Sequence, residues 1–340
     1  MRAEERTKKI KTGQMLAAIP NVQEVQADST AITSPFTMPL GRLEQQMNVR
    51  FLFQLLLLGA IWGASFPLML VAVGDFTPVA LIEVRVAVGA ILLTAILAMR
   101  GELSSLCGRT WQFLILGAIN SAIPFSLFAF AAQYQTAGLS SVLNSTAPLF
   151  AALVAFVWLR ERLRVIQTIG LIVGFCGVVI LASSKNTLDG NLVAIAAGLC
   201  AALLYGIAAH YSKRNFQGCP PLAVSCGSLI GASLLLLPMM PWSLSDHAPS
   251  MRAWACAIAL GVLCTGIAYM LYFRMIKNYG AARSMTVAYL IPIFGVIWGF
   301  LFLNEPITLS MLMGGSVVLL GTILVTRSVQ NRGQNRGRRC

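Results

Sequence analysis

Two histidines, His210 and His247, are all that 340 residues contain, which argues against a His-built metal site. The eight cysteines include no Cys-x-x-Cys pair, and most stand inside apolar runs where cysteine behaves as a small hydrophobe. Neither a structural disulfide nor a bound metal is expected. Charge is sparse: 11% of the residues are charged and 12 are acidic, against 57% hydrophobic ones. A soluble globule needs more polar surface than that, so the chain is an integral membrane protein. The net charge of +13 would suggest nucleic acid if it formed one basic face, but the basic residues lie between apolar runs and read as topology signals. Short connecting segments without clustered His, Asp or Ser exclude a membrane enzyme. The absence of a mid-span lysine and of a sizeable signalling domain excludes a retinal-type photoreceptor or receptor. No cofactor is implied.

Ten apolar runs, each about the length of helix that crosses a bilayer core, cover approximately residues 51–73, 79–99, 113–133, 139–159, 165–183, 191–211, 221–241, 253–273, 282–303 and 307–326. An even number places both termini on one side. With that side cytoplasmic, all but three of the 25 Lys and Arg fall inside: Lys185 and Arg252 lie outside, and Arg85 stands within a span. The expected location is therefore the cell (inner) membrane, with both termini cytoplasmic. Residues 1–48 are polar, their apolar patches too short for a signal-peptide core, and are expected to be disordered. Met47 directly precedes the first run, which makes an over-extended start site a simple explanation for that tail. Residues 328–340 form a basic cytoplasmic tail.

The run from 137 to 161, AGLSSVLNSTAPLFAALVAFVWLRE, is echoed from 281 to 305, AARSMTVAYLIPIFGVIWGFLFLNE. Pro148 pairs with Pro292 and Glu161 with Glu305, at an offset of 144 residues in each case. The chain is thus duplicated, with repeats at 49–184 and 188–327. Five spans per copy is an odd number, so the second copy is inverted relative to the first. The expected fold is all-α, ten transmembrane helices arranged as two inverted five-helix repeats.

Four stretches carry a family resemblance: GAIWGASFPL in the first span, ALIEVRVAVGAILL in the second, LNSTAPLFAALVAFVWLRERLRVIQTIGLIVGFCGVVIL, and AYLIPIFGVIWGFLFLNEPITLSMLMGGSVVLLGTILV. Together they resemble the ten-helix EamA type of the drug/metabolite transporter superfamily, over about residues 50–327. The resemblance implies an exporter or exchanger of amino acids, metabolites or drugs with a central cavity between the repeats. One departure is that no lysine lies deep in a span, whereas sugar-nucleotide and phosphate carriers of the superfamily use basic cavity residues. A doubly anionic solute is disfavoured on that ground.

Proline has no amide proton, so Pro124, Pro148 and Pro292 are expected to break their helices and release the carbonyls of Asn120, Asn144 and Ala288. Open backbone groups at membrane depth are tolerated where they face protein or a wet cavity. Cavity lining and a simple kink satisfied by a nearby hydroxyl both remain open. Trp62, Ser65 and Phe66 share one face of the first span, beside Gly59 and Gly63; they form either an aromatic wall for a solute or a packing surface. The same alternatives hold for Tyr205, Tyr269, Tyr272 and Tyr289. Glu83 and Arg85 are the acid and the base inside a span, and each is costly there unless paired or hydrated. Two residues apart, they point to different faces. A desolvated carboxylate binds a proton more readily, which makes Glu83 the candidate for proton coupling, while Arg85 either serves the solute or snorkels to the interface. Glu161 and Glu305 sit at span ends, each just before the next helix, whose N-terminus the acidic charge is expected to complement. His210 is expected to be interfacial. The paired glycine-rich stretches around Gly170 and Gly314 lack the lysine and the strand-to-helix context of a phosphate loop and read as packing surfaces.

The expected activity is alternating-access export or exchange of a small neutral or zwitterionic amphipathic solute, with uniport or channel-like facilitation as the alternative. A proton as coupling ion, and a monomer or a homodimer, are both left open by these residues.

Overall fold

The computed structural model describes residues 40–158, 160–183, 191–243 and 247–337. Residues 1–39, Lys185 and the last three residues, on which part of the tail and charge expectations fall, lie outside them. The chain divides into Met1–Val49 and Arg50–Cys340, and the architecture below is that of the second unit.

Among the described residues, nine helices are long and apolar enough to cross a bilayer: Val49–Ala72, Pro78–Met99, Thr110–Ala132, Ala137–Val157, Val165–Ala182, Leu192–Asn215, Pro221–Trp242, Met251–Tyr279 and Leu309–Arg327. A shorter apolar helix, Val287–Leu303, occupies the ninth expected run. Numbered in chain order with Val287–Leu303 as span 9, these are spans 1 to 10. Span 8 continues to Tyr279, a turn and more beyond the expected end, and span 9 is preceded by the single-turn helix Ala281–Ser284.

Local chemistry sets several of the starts. Thr77 caps span 2 by accepting from the Ala80 amide (3.3 Å), with Pro78 in the first turn, and Thr136 caps span 4 by accepting from Leu139 (3.2 Å). Ser250 does the same for span 8 through Ala253 (3.2 Å).

The two repeats deform at matching places. Span 3 carries a π-turn at Ala118–Ala122 and span 8 one at Val262–Ile267, positions related by the repeat offset. Span 4 is interrupted at Ser145 and Thr146, whose hydroxyls donate to the carbonyls of Val142 and Leu143 (2.6 Å each). Span 9 is interrupted before Val287, where the Thr286 hydroxyl donates to Arg283 (2.6 Å). Hydroxyls that bond carbonyls three residues back compete with the helix ladder, which explains the sites of these breaks. Arg160 and Asn304, equivalent across the repeats, both adopt left-handed backbone (φ 53° and 54°). The expectation for the prolines holds unevenly. Pro124 and Pro148 stand in the first turn after an interruption, whereas Pro292 lies inside a continuous helix. There the break falls more than a turn upstream because the hydroxyl competition, not the missing amide, locates it.

Glycines bring the repeats together. A Cβ on Gly170 would stand 2.9 Å from the Gly321 carbonyl, and one on Gly177 would stand 2.8 Å from that of Gly314, so spans 5 and 10 touch backbone to backbone. Gly63 meets Gly295 of span 9, and Gly206 meets Ala151 of span 4, at 3.0 and 2.8 Å on the same measure. Gly227 and Gly231 receive Phe113 of span 3. The small-residue faces are spent on packing within one chain.

Candidate functional site

A cavity of about 610 Å³ lies between the repeats, lined by residues of spans 1 to 6 and 8 to 10. Its wall is built in repeat-related pairs. Phe125 and Phe128 of span 3 correspond to Tyr269 and Tyr272 of span 8 at the offset of 144, and Trp62 of span 1 to Tyr205 of span 6 at 143, the offset that also pairs Pro78 with Pro221. Their contacts mirror one another: Trp62 meets Tyr269 at 6.4 Å and Tyr272 at 5.2 Å between ring centroids, while Tyr205 meets Phe125 at 6.4 Å and Phe128 at 6.3 Å. Phe66 closes against Phe128, edge to face at 5.8 Å. Aromatic pairs at these separations are mutually attractive and stiff, so the cavity has two facing aromatic walls.

Arg85 supplies the charge at depth. Its side chain is 5% exposed, and the guanidinium carbon sits 3.9 Å above the Phe125 ring. Nε donates to Thr265 Oγ1 (3.2 Å), and that hydroxyl in turn donates to the Leu260 carbonyl (2.9 Å). Thr265 is presented by the π-turn of span 8, so the backbone irregularity places the acceptor beside the arginine. Tyr205, Tyr269 and Cys264 are its other polar neighbours. Among the described residues no carboxylate pairs with it.

Glu83 turns the other way. Oε1 accepts from Ser233 of span 7 (2.6 Å), Oε2 has no hydrogen-bond partner among the described residues, and the side chain does not line the cavity. Of the residues expected from sequence to meet a solute, Trp62, Ser65, Phe66, Asn120, Asn144, Tyr205 and Tyr269 line the cavity together with Arg85 and Pro148. Tyr289, Pro124 and Pro292 do not, although Ala288, whose carbonyl Pro292 leaves without a donor, does. Tyr289 is one position off that face. Phe125 and Phe128 were not singled out by sequence; the signal was present, since the repeat offset maps Tyr269 and Tyr272 onto them.

The exposed residues of the cavity lining gather at one end. Exposed Glu161, Arg162 and Lys213 form its mouth, and His210 Nε2–H donates to the Ala151 carbonyl (2.9 Å) just inside. A second cavity of about 460 Å³ lies at the opposite end, lined by residues of the 133–136 and 304–308 linkers. The two come back to back on span 1, where Met69 lines the first and Leu70 the second. Between the linkers, Glu305 Oε1 accepts from the Ala137 amide (2.7 Å) and Oε2 from Gly138 (3.2 Å). The carboxylate therefore caps span 4, not the helix that follows it in sequence, and ties the second repeat to the first.

Comparison with known proteins places this geometry. The profile of the EamA-like transporter family matches residues 50–183 and again 192–327. An Archaeoglobus fulgidus protein described as an uncharacterized transporter is 24% identical over 270 residues, covering 78% of this chain and 95% of that one. An uncharacterized transporter of Bacillus subtilis is 25% identical over 285 residues, 80% and 95% of the two chains. A probable terminal-alkyne amino-acid exporter of Streptantibioticus cattleyicolor is 24% identical over 276 residues, 80% and 91% of the two. A solved crystal structure superposes with a TM-score of 0.58 at 18% identity, covering 82% of this chain and 96% of its own, a likeness of fold.

Proposed function

The chain belongs to the EamA-like transporter family, and on that premise we propose that it exports or exchanges a small neutral or zwitterionic amphipathic solute by alternating access. The observation that carries this reading is the cavity wall made of mirror-related aromatic pairs, one set from each inverted repeat. A site on the pseudo-two-fold axis is approached equally by both halves, so either can act as the gate while the other stays closed. The mouth at Arg162 and Lys213 is at the end where Lys and Arg accumulate, which the positive-inside rule makes cytoplasmic. On that orientation the structure is inward-open, its outer end held by Glu305 on span 4. Glu161 is its repeat counterpart and would cap the helix beginning at Ala281 when the inner end closes. Export is supported by the exporter among the relatives.

Counterflow tests the reading. Purified protein in liposomes loaded with an unlabelled amino-acid and metabolite mixture should take up a labelled component saturably. Flux without saturation would replace the carrier with a pore. The uncoupled alternative has one observation in its favour: Glu83 sits behind the cavity wall against Ser233. If a pH gradient leaves exchange unchanged, and Glu83→Gln changes nothing, transport is facilitated diffusion.

A further inference from the structure

Arg85 breaks the symmetry of the cavity. The aromatic walls repeat across the two halves, but the counterpart of Arg85 in span 7, at the offset of 143 that pairs Pro78 with Pro221, is Ser228, a small buried hydroxyl. One cation is thus placed off-axis at mid-depth, where desolvation makes a lone charge expensive. The Phe125 ring and the Thr265 hydroxyl offset part of that cost. They occupy one face of the guanidinium and its Nε edge, and among the described residues its Nη groups have no carboxylate partner. A planar fork so held, nine-tenths and more buried and lining a cavity, matches a carboxylate in geometry and in charge.

We propose that Arg85 is the anchor for a monocarboxylate solute, whose carboxylate is held on the Nη edge and whose apolar body lies against Trp62, Tyr205 and Tyr272. This rests on the cavity being the solute site. The charge balance restricts the solute to one carboxylate: Arg162 and Lys213 are exposed at the mouth, so among the described residues no second Lys or Arg stands at depth for a second anion. The solute carboxylate offsets the Arg85 charge at depth, so the buried pair costs less than the lone cation. Thr265 is a positioning residue, since it fixes the Nε edge and leaves the other donors directed at the ligand.

Three probes of similar shape separate the carboxylate from the ring: L-phenylalanine, 3-phenylpropionate and L-phenylalaninamide. Binding to the purified full-length protein is read as the ligand-dependent rise in thermal unfolding temperature. Both carboxylates should stabilise the wild-type protein, with the amide at least about tenfold weaker, the loss expected for one charge-assisted contact. Arg85→Gln should abolish the preference and Arg85→Lys should retain part of it. Equal binding of amide and acids, no stabilisation by either acid, or a preserved preference in Arg85→Gln would overturn the anchor, and the wild-type series decides even if a variant fails to fold. Counterflow with the same probes separates the two readings: acids that bind without exchange refute transport and keep the anchor, while exchange indifferent to the carboxylate refutes the anchor and keeps transport.

Discussion

Removing the Glu305 carboxylate should open the end of the bundle opposite the mouth. Its two oxygens hold the Ala137 and Gly138 amides at 2.7 and 3.2 Å, and these are first-turn donors with no partner inside their own helix. A hydrogen bond to a charged group contributes about 1.5–3 kcal/mol. Glu305 is partly exposed, so solvent screening reduces the pair to roughly 2–3 kcal/mol in all. If that energy is present only while this end is shut, Glu305→Ala shifts the open-to-closed ratio by about 30- to 150-fold. Glu305→Gln keeps one neutral acceptor and should shift it less. The assay is labelling of Ser65→Cys, in a background without native cysteines, by a membrane-impermeant maleimide added from outside. Labelling rate follows the outward-open fraction while that fraction is small, so it should rise in the order parent, Gln, Ala. Glu161→Ala should lower it. A rate unchanged in a Glu305→Ala protein that still unfolds cooperatively would refute the latch, because the bond would then be a cap that persists in both states.

Gly177→Val places a branched side chain where a Cβ already stands 2.8 Å from the Gly314 carbonyl; spans 5 and 10 must separate, at a cost of about 1–3 kcal/mol seen as a lower unfolding temperature in detergent. Trp62→Ala and Tyr205→Ala each remove one of two mirrored aromatic walls and should raise the half-saturation concentration for exchange by a similar factor of about ten. Asp75, in the linker between spans 1 and 2, accepts from the Ser250 side chain and from the Ser250 amide (2.8 Å), and these bonds hold its carboxyl below the ordinary carboxylate range. The tie, reinforced by the Thr77 hydroxyl on the Ser243 carbonyl, is fully present above that ordinary range and lost as pH falls through the lowered value. Asp75→Asn should therefore unfold below wild type at neutral pH, and the two melting curves should converge on acidification.

Much of the fold was legible because bilayer crossing imposes long apolar runs, and duplication doubles each signal. The Pro148 and Pro292 pair, read with Glu161 and Glu305, was enough to infer the inverted halves. The helix interruptions were less legible: prolines are visible in a sequence, but Ser145, Thr146 and Thr286 break their helices through carbonyl bonds that depend on side-chain rotamer. The π-turns of spans 3 and 8 leave no residue signature at all. Within the site, Trp62 and Tyr205 were readable as intramembrane aromatics, yet nothing in spacing distinguishes a cavity wall from a packing face. That distinction needs the partner helix, as Tyr289 shows by standing one position from the cavity-lining Ala288. Glu305 was correctly assigned to a helix N-terminus and wrongly expected to serve the next helix, because the linker geometry folds it back onto span 4.

Where the two halves still agree and where they have diverged follows a physical division of labour. Glu161 and Glu305, and Arg160 and Asn304 with their shared left-handed backbone, stand at the ends that would open in turn under the alternating-access proposal. Two gates that exchange roles about one axis have to reach closed states of similar energy, or the carrier rests in one of them and turnover falls. Resemblance between the repeats is therefore required there. The solute proposed above has no such symmetry: one end is charged and the other apolar, so a site with identical halves would hold it in two opposed poses and transport each less well. Replacement of one half's Ser228 by the other's Arg85, and of Ala288 by Asn144, gives the cavity a polar end and a direction. The pairs that differ across the repeat offset are thus the ones expected to set which solute is carried, and substitutions at Arg85, Asn120 and Asn144 should change selectivity while leaving the gate equilibrium measured at Ser65→Cys where it was.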